Sequence, residues 1–124
     1  MMLLAVVNSS AIAEWVKVGD NDAETATVYI DPATIRKDGS KAKMWRLFDF
    51  KRAEASFGDP YRSMMSEADY DCNEKQQRIL TVSLRSGNMG EGELVFSTSD
   101  PDKWLPVQPE SVSETLWQIA CGKR

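Results

Sequence analysis

Along most of the chain, apolar and polar residues alternate in short stretches separated by turn formers, the period-two pattern of antiparallel strands. Residues 14–18 (Glu-Trp-Val-Lys-Val) predict a first strand, ended by Gly19-Asp20-Asn21-Asp22. Residues 25–31, rich in β-branched and aromatic types, predict a second that Pro32 stops, and Asp38-Gly39 supplies the positive-φ positions of a tight hairpin turn. Residues 41–50 predict a long third strand, and Ala53 to Pro60 reads as a loop. A fourth strand is expected over 61–72, a fifth over 76–86 and a sixth over 93–98. The run Gly87-Asn-Met-Gly90-Glu-Gly92 between the last two lacks phosphate-loop spacing and a strand-to-helix context, so it reads as a hairpin loop.

The period then changes. After a Pro-punctuated crossover from Ser99 to Pro109, Ser111-Val-Ser-Glu114 is a capping box. Val112, Leu116, Ile119 and Ala120 fall on one helical stripe, and Gly122 stands where a C′ glycine ends a helix. The pattern therefore predicts an α+β fold: an antiparallel β-sheet meander of about six strands with a C-terminal α-helix on one face.

Alternation also places the two cysteines. On the fourth strand Met64, Ser66, Ala68, Tyr70 and Cys72 share one face, and on the fifth Leu80, Val82 and Leu84 form an apolar row. Cys121 ends the helical stripe, so a Cys72–Cys121 disulfide would pin the helix to the sheet's apolar face. Closing a loop of that length contributes about 4 kcal/mol in the chain-entropy account, a large part of a typical total of ~5–15.

Composition narrows the chemistry. A chain of 124 residues with no histidine builds no Ser-His-Asp triad, Cys-His dyad or His-ligated zinc site. Two distant cysteines make neither a four-Cys zinc site nor a C-x-x-C redox motif. The net charge of −4 argues against a nucleic-acid partner. No residue set fills the roles of a catalytic site, so no enzyme activity and no cofactor or metal are expected.

The first residues point outward. Met1-Met-Leu-Leu-Ala-Val-Val7 is a short apolar run, and Ala11-Ile12-Ala13 matches the small-x-small pattern of signal-peptide cleavage before Glu14. The run is too short to span a bilayer, so no transmembrane segment is expected. Residues 1–13 are thus read as a signal-peptide remnant, its true start upstream of Met1, and 14–124 as one domain. Without a cysteine at the cleavage site, no lipid anchor is expected. Export to the periplasm or cell surface suits a disulfide.

Three side-chain sets stand out. Glu67, Asp69 and Asp71 alternate on one strand face, but a calcium site needs six to eight converging oxygens, so they read as a solvated face. Trp45 and Leu47 lie opposite the row Ala42, Met44, Arg46, Phe48 and Phe50. Whichever row the helix leaves uncovered is a candidate homodimer interface, or is covered by loops. Trp104 and Trp117 are expected to pack in the core beneath the crossover.

Charge is uneven. Arg36 to Arg52 holds seven basic residues and two acidic ones, +5, which leaves −9 for the rest of a chain that totals −4. Pairing of the third and fourth strands would set Lys41 and Lys43 opposite Asp71 and Asp69 and cancel part of this charge. Arg36, Lys37, Lys41 and Lys43 are the candidate partner-binding residues, with Arg36 and Lys37 presented at a hairpin tip.

One resemblance covers nearly all of the expected mature chain, Glu14 to Gly122. The ordered set Trp15-Val-Lys-Val-Gly19, Tyr29-Ile-Asp-Pro-Ala-Thr-Ile35, Tyr70-Asp-Cys72, Gly90-Glu-Gly92, Trp104, Pro109-Glu-Ser111 and Leu116-Trp-Gln-Ile-Ala-Cys121 resembles the surface-adhesin protein E family. The resemblance implies a secreted or outer-surface bacterial protein, with a six-stranded antiparallel sheet and a helix held by the cysteine pair. It also implies a non-enzymatic binding module whose partners are extracellular-matrix proteins. The alternatives are an accessory periplasmic protein without a host ligand, and a small-ligand carrier built around an apolar pocket.

Overall fold

The computed structural model describes residues 13–123. All of the expected leader except Ala13 lies outside the described residues. Strands β1 (Val16–Asp20), β2 (Ala26–Asp38), β3 (Lys41–Ser56), β4 (Asp59–Asp71), β5 (Gln76–Arg85) and β6 (Leu94–Thr98) form one antiparallel meander in chain order. The two-residue β7 (Leu105–Pro106) returns to pair with β5, and helix α1 spans Val112–Cys121. The α+β architecture is the expected one.

Three strand boundaries differ from expectation, each for a local reason. Pro32 does not stop β2. The strand takes five residues from Asp31 to Arg36 while β3 takes two from Trp45 to Lys43, so Pro32 sits in a bulge where no ladder N–H is required. Side chains replace the missing backbone partners. The Thr34 hydroxyl accepts from Trp45 N at 3.0 Å, and the Asp31 carboxylate accepts from Ala33 N at 3.2 Å.

The segment expected as a loop, Ala53 to Pro60, is instead the far end of the β3–β4 hairpin. Beyond a second bulge between Asp49 and Glu54, pairing resumes at Glu54–Tyr61 and runs to Ser56–Asp59. Phe57 and Gly58, with φ of 51° and 88°, close a two-residue turn. A phenylalanine in the first of those positions hid the turn. A third bulge on β5 sets Thr81 opposite Glu67 and Ile79 opposite Ala68. Ile79, not Leu80, therefore joins Val82 and Leu84 on the row facing β4's apolar side.

The helix settles which face is inside. Leu116, Trp117, Ala120 and Cys121 are buried against Val28, Ile30, Met44, Ala68 and Tyr70. The row Ala42-Met44-Arg46-Phe48 therefore faces α1. Trp117 packs in this core as expected, its indole N–H donating to Asp71 O at 2.9 Å. The Ser111 side chain accepts from Glu114 N at 3.2 Å, whereas the Glu114 carboxylate reaches back to Glu110 N, one residue beyond the usual capping-box donor. Gly122 ends the helix with φ 69°, ψ 32°. Cys72 and Cys121 are bonded, their Cα atoms 5.7 Å apart.

The second face is not left bare. A 3-10 turn, Asn88–Gly90, folds back from the β5–β6 connection across β3 and β4. Ser63 Oγ donates to Gly87 O at 2.7 Å and accepts from Gly90 N at 2.8 Å, while Asp49 accepts from Asn88 Nδ2 and Met89 N. Leu47 is fully buried under this strap and Trp45 half-buried. The glycine-rich hairpin loop read from the sequence thus has a packing role. A Cβ on Gly90 would stand 3.0 Å from Met65 Sδ and 3.3 Å from Leu47 Cδ1.

Candidate partner-binding cleft

The β2–β3 hairpin carries most of the candidate cations, and its register decides where they go. Asp38 pairs with Lys41 across the turn, and Arg36 stands directly opposite Lys43. On the other side of β3, Lys41 is opposite Asp71 and Lys43 opposite Asp69. The four-residue connection after Asp71 then sets Arg78 of β5 opposite Asp69.

The crossover closes the site. Asp102 N donates to Ile79 O at 2.9 Å, and Leu105 pairs with Gln77, so Trp104 between them is held alongside Arg78. Its ring lies 4.7 Å from Arg78 Cζ and 5.8 Å from Lys41 Nζ, both within cation–π range. Trp104 is thus half-exposed between two cations rather than packed in the core as expected. The result is a cleft of about 530 Å³ lined by Arg36, Lys37, Lys41, Lys43, Arg78 and Trp104, with Asp38 and Asp69 also in its walls.

The structure brings all four candidate residues to this cleft but gives them different neighbours. Lys41 Nζ is 3.6 Å from Asp71 Oδ2. Lys37 Nζ donates to Cys121 O at 3.1 Å and so holds the carbonyl end of α1. Asp69 is buried and paired with Arg78 at 3.3 Å, not with Lys43. Arg36 and Lys43 make no ion pair with any described carboxylate. Of the remaining basic residues in the charged stretch, Arg46 is buried on the helix face and Lys51 pairs with Asp20 at 2.8 Å.

Asp71 ties the cleft to the core. Its carboxylate accepts from the amides of Glu74 (2.9 Å) and Asn73 (3.0 Å) and faces Lys41. The Glu74 amide foremost, with the Asn73 amide and Lys41, holds its pKa below the ordinary carboxylate value despite partial burial. Chemically the cleft presents cations and an indole face, suited to holding an anionic segment. Among the described residues no His, Cys, Asp or Glu cluster has the makings of a metal site, and no helix is long and apolar enough to cross a membrane.

Sequence reasoning missed Arg78 and the placement of Trp104. The signal for Arg78 was present: a short turn after Asp71 puts it across from Asp69. No periodicity signalled Trp104, because the crossover that positions it is irregular.

The comparisons agree with this architecture. A search of curated proteins gives no match. Solved structures of Haemophilus influenzae protein E share the fold: crystal form II aligns with a TM-score of 0.66 at 14% identity, covering 84% of this chain and 86% of that one. The protein E structure from a non-typeable strain aligns with a TM-score of 0.61 at 13% identity, covering 90% and 86%. The family profile described as surface-adhesin protein E matches residues 15–122, and by that match the chain belongs to the surface-adhesin protein E family.

Proposed function

We propose that this chain is an exported envelope protein that binds an acidic segment of a partner protein in the cleft between the β2–β3 hairpin and Trp104. The observation that carries the reading is the Arg36–Lys43 pair. Like charges directly opposite on neighbouring strands destabilise a sheet, and neither residue is ion-paired with a described carboxylate, Asp69 opposite Lys43 being taken by Arg78. An anionic partner relieves that repulsion on binding. The surrounding chain is net acidic, which confines the attraction to this patch and steers a partner toward it. Membership of an adhesin family supports a protein of the host surface or matrix as the partner.

Purified extracellular-matrix proteins should bind the immobilised chain at low ionic strength and dissociate as salt rises, since exposed charges are screened beyond about 10 Å at 0.1 M. Absence of binding to every matrix protein tried sinks the adhesin reading. Export has its own test: the mature protein should begin at Glu14 by mass spectrometry, and a soluble product retaining residues 1–13 contradicts it.

One observation favours the accessory-protein reading. Lys37, Lys41 and Arg78 are already engaged by Cys121 O, Asp71 and Asp69. On that reading the basic patch serves the fold, and charge reversal changes stability without changing any binding.

A further inference from the structure

Arg46 is a charged residue in a place that charged residues avoid. Its side chain lies on the helix face of β3 and is only 5% exposed. Buried guanidinium groups are ordinarily paired with an anion. None of the described ion pairs includes Arg46. Its protein partners are neutral: Ser66 Oγ accepts from Nε at 3.2 Å and Nη2 at 3.0 Å, and Tyr70 OH accepts from Nη1 at 3.4 Å. The Phe48 ring, 5.4 Å from Cζ, adds a weak cation–π contact. Three of the five N–H donors are thus used, leaving two without a described acceptor.

Arg46 lines a cavity of about 240 Å³, and so does a residue that carries a second orphan. Gln77 Oε1 is buried without a hydrogen-bond partner. Phe48, Met64, Ile79 and Leu105 supply apolar wall. Of the cations among its lining residues, Arg78 is paired with Asp69, while Arg46 and Lys103 are in no described ion pair; the single lining carboxylate, Asp102, stands at the exposed rim. An uncompensated cation, an unmatched acceptor and an apolar lining are complementary to one kind of molecule. The volume lies below the ~300–1,000 Å³ of pockets that take drug-sized ligands, so that molecule is small.

We propose that this cavity binds an apolar carboxylate bearing an adjacent N–H, the chemistry of an N-acyl amino acid or of a peptide's C-terminal residue. The acid group pairs with the free N–H donors of Arg46, the ligand N–H donates to Gln77 Oε1, and the apolar side chain packs on Phe48, Met64, Ile79 and Leu105. Arg46 lies on the opposite face of β3 from Lys41 and Lys43, so this site and the basic cleft hold different lysines and share only Arg78 among their lining residues.

The test is titration of the full chain with N-acetyl-leucine and with its uncharged amide, read by ligand-observed NMR. The acid should bind saturably and the amide about 10- to 100-fold more weakly, the worth of a hydrogen bond to a charged group. Arg46→Met should bring acid binding down to the amide's level. Should that variant fail to fold, Ile79→Trp fills the cavity from its wall and should abolish binding while leaving Arg46 in place. An alanyl-alanyl-leucine peptide with a free carboxylate separates the sources: tighter binding than N-acetyl-leucine assigns the site to peptide termini, and equal or weaker binding assigns it to the free molecule. The double variant Arg36→Glu, Lys43→Glu should bind N-acetyl-leucine as the parent does, which separates this site from the cleft. Equal binding of acid and amide, no binding of the acid by the folded parent, or unimpaired binding by folded Ile79→Trp overturns the proposal.

Discussion

Lys37 Nζ stands 3.1 Å from the carbonyl oxygen of Cys121, so a lysine of the β2–β3 hairpin holds the same turn of helix that the disulfide holds. The last carbonyls of a helix lack intrahelical partners and carry the negative end of its dipole, which a lysine offsets. Lys37→Met should therefore cost about 0.3–1 kcal/mol and lower the thermal midpoint by a few degrees. Arg36→Met, which removes no such contact and relieves the facing of Arg36 and Lys43, should leave the midpoint unchanged or raise it slightly. Equal effects from the two would remove Lys37 as a cap.

Gly122 is the next residue, and it has two reasons to be glycine. Its φ of 69° is in the left-handed region, and a Cβ there would come within 2.6 Å of Lys37 Nζ. Gly122→Ala should cost about 1 kcal/mol from backbone strain alone and displace the lysine as well. Lys37→Met should then be nearly silent in the Gly122→Ala background, a coupling that a double-mutant cycle in chemical denaturation measures.

The disulfide should dominate the stability of the helix. Replacing Cys72 and Cys121 together by serine releases a loop of 49 residues in the unfolded chain, worth about 4 kcal/mol. For a protein of this size that corresponds to a drop of more than about 10 °C in the thermal midpoint. Calorimetry of the double variant under otherwise identical conditions gives the answer, and an unchanged midpoint refutes the staple.

Acid should weaken the fold through a few carboxylates. The Glu74 amide foremost holds Asp71 below the ordinary value, and the Lys75 ammonium foremost does the same for Glu114. A carboxylate with a lowered folded pKa contributes stability that is fully present above its unfolded value, about 3.9 for Asp and 4.3 for Glu. That contribution is lost as the pH falls through the lower folded values. Stability measured by denaturant titration should therefore be flat from pH 7 to about 5 and decline below about pH 4. The variant Asp71→Asn should show a shallower decline, and a parallel one contradicts the assignment.

Local pattern revealed the elements better than their ends. The strand count, the helix start at Ser111, its stop at Gly122 and the cysteine pairing all follow from periods and caps that neighbouring residues decide. The bulges were hidden, because neither a strand's alternation nor its propensity marks where one strand takes an extra residue. Thr34 accepting from Trp45 N lets β2 run past a proline that reads as a stop. At Leu80 one extra residue shifts which side chain meets the core, which no alternation count on β5 alone detects. The strap over Leu47 and the position of Trp104 are tertiary events and left no periodic trace. Arg46 was visible as a charge in an apolar row, but only the structure shows that it is buried with no counter-ion among the described residues.

The central claim is that the repulsion between Arg36 and Lys43 is relieved by an acidic partner. Its most direct measurement is the salt dependence of matrix-protein binding by the parent and by Arg36→Glu, Lys43→Glu, alongside the thermal stability of each. The account predicts that the parent binds and weakens steeply with salt. The double variant should lose at least about tenfold in affinity and most of the salt slope while its stability stays close to the parent's, since one facing pair of like charges replaces another. Unchanged binding, or a loss of binding that merely tracks a loss of stability, contradicts it.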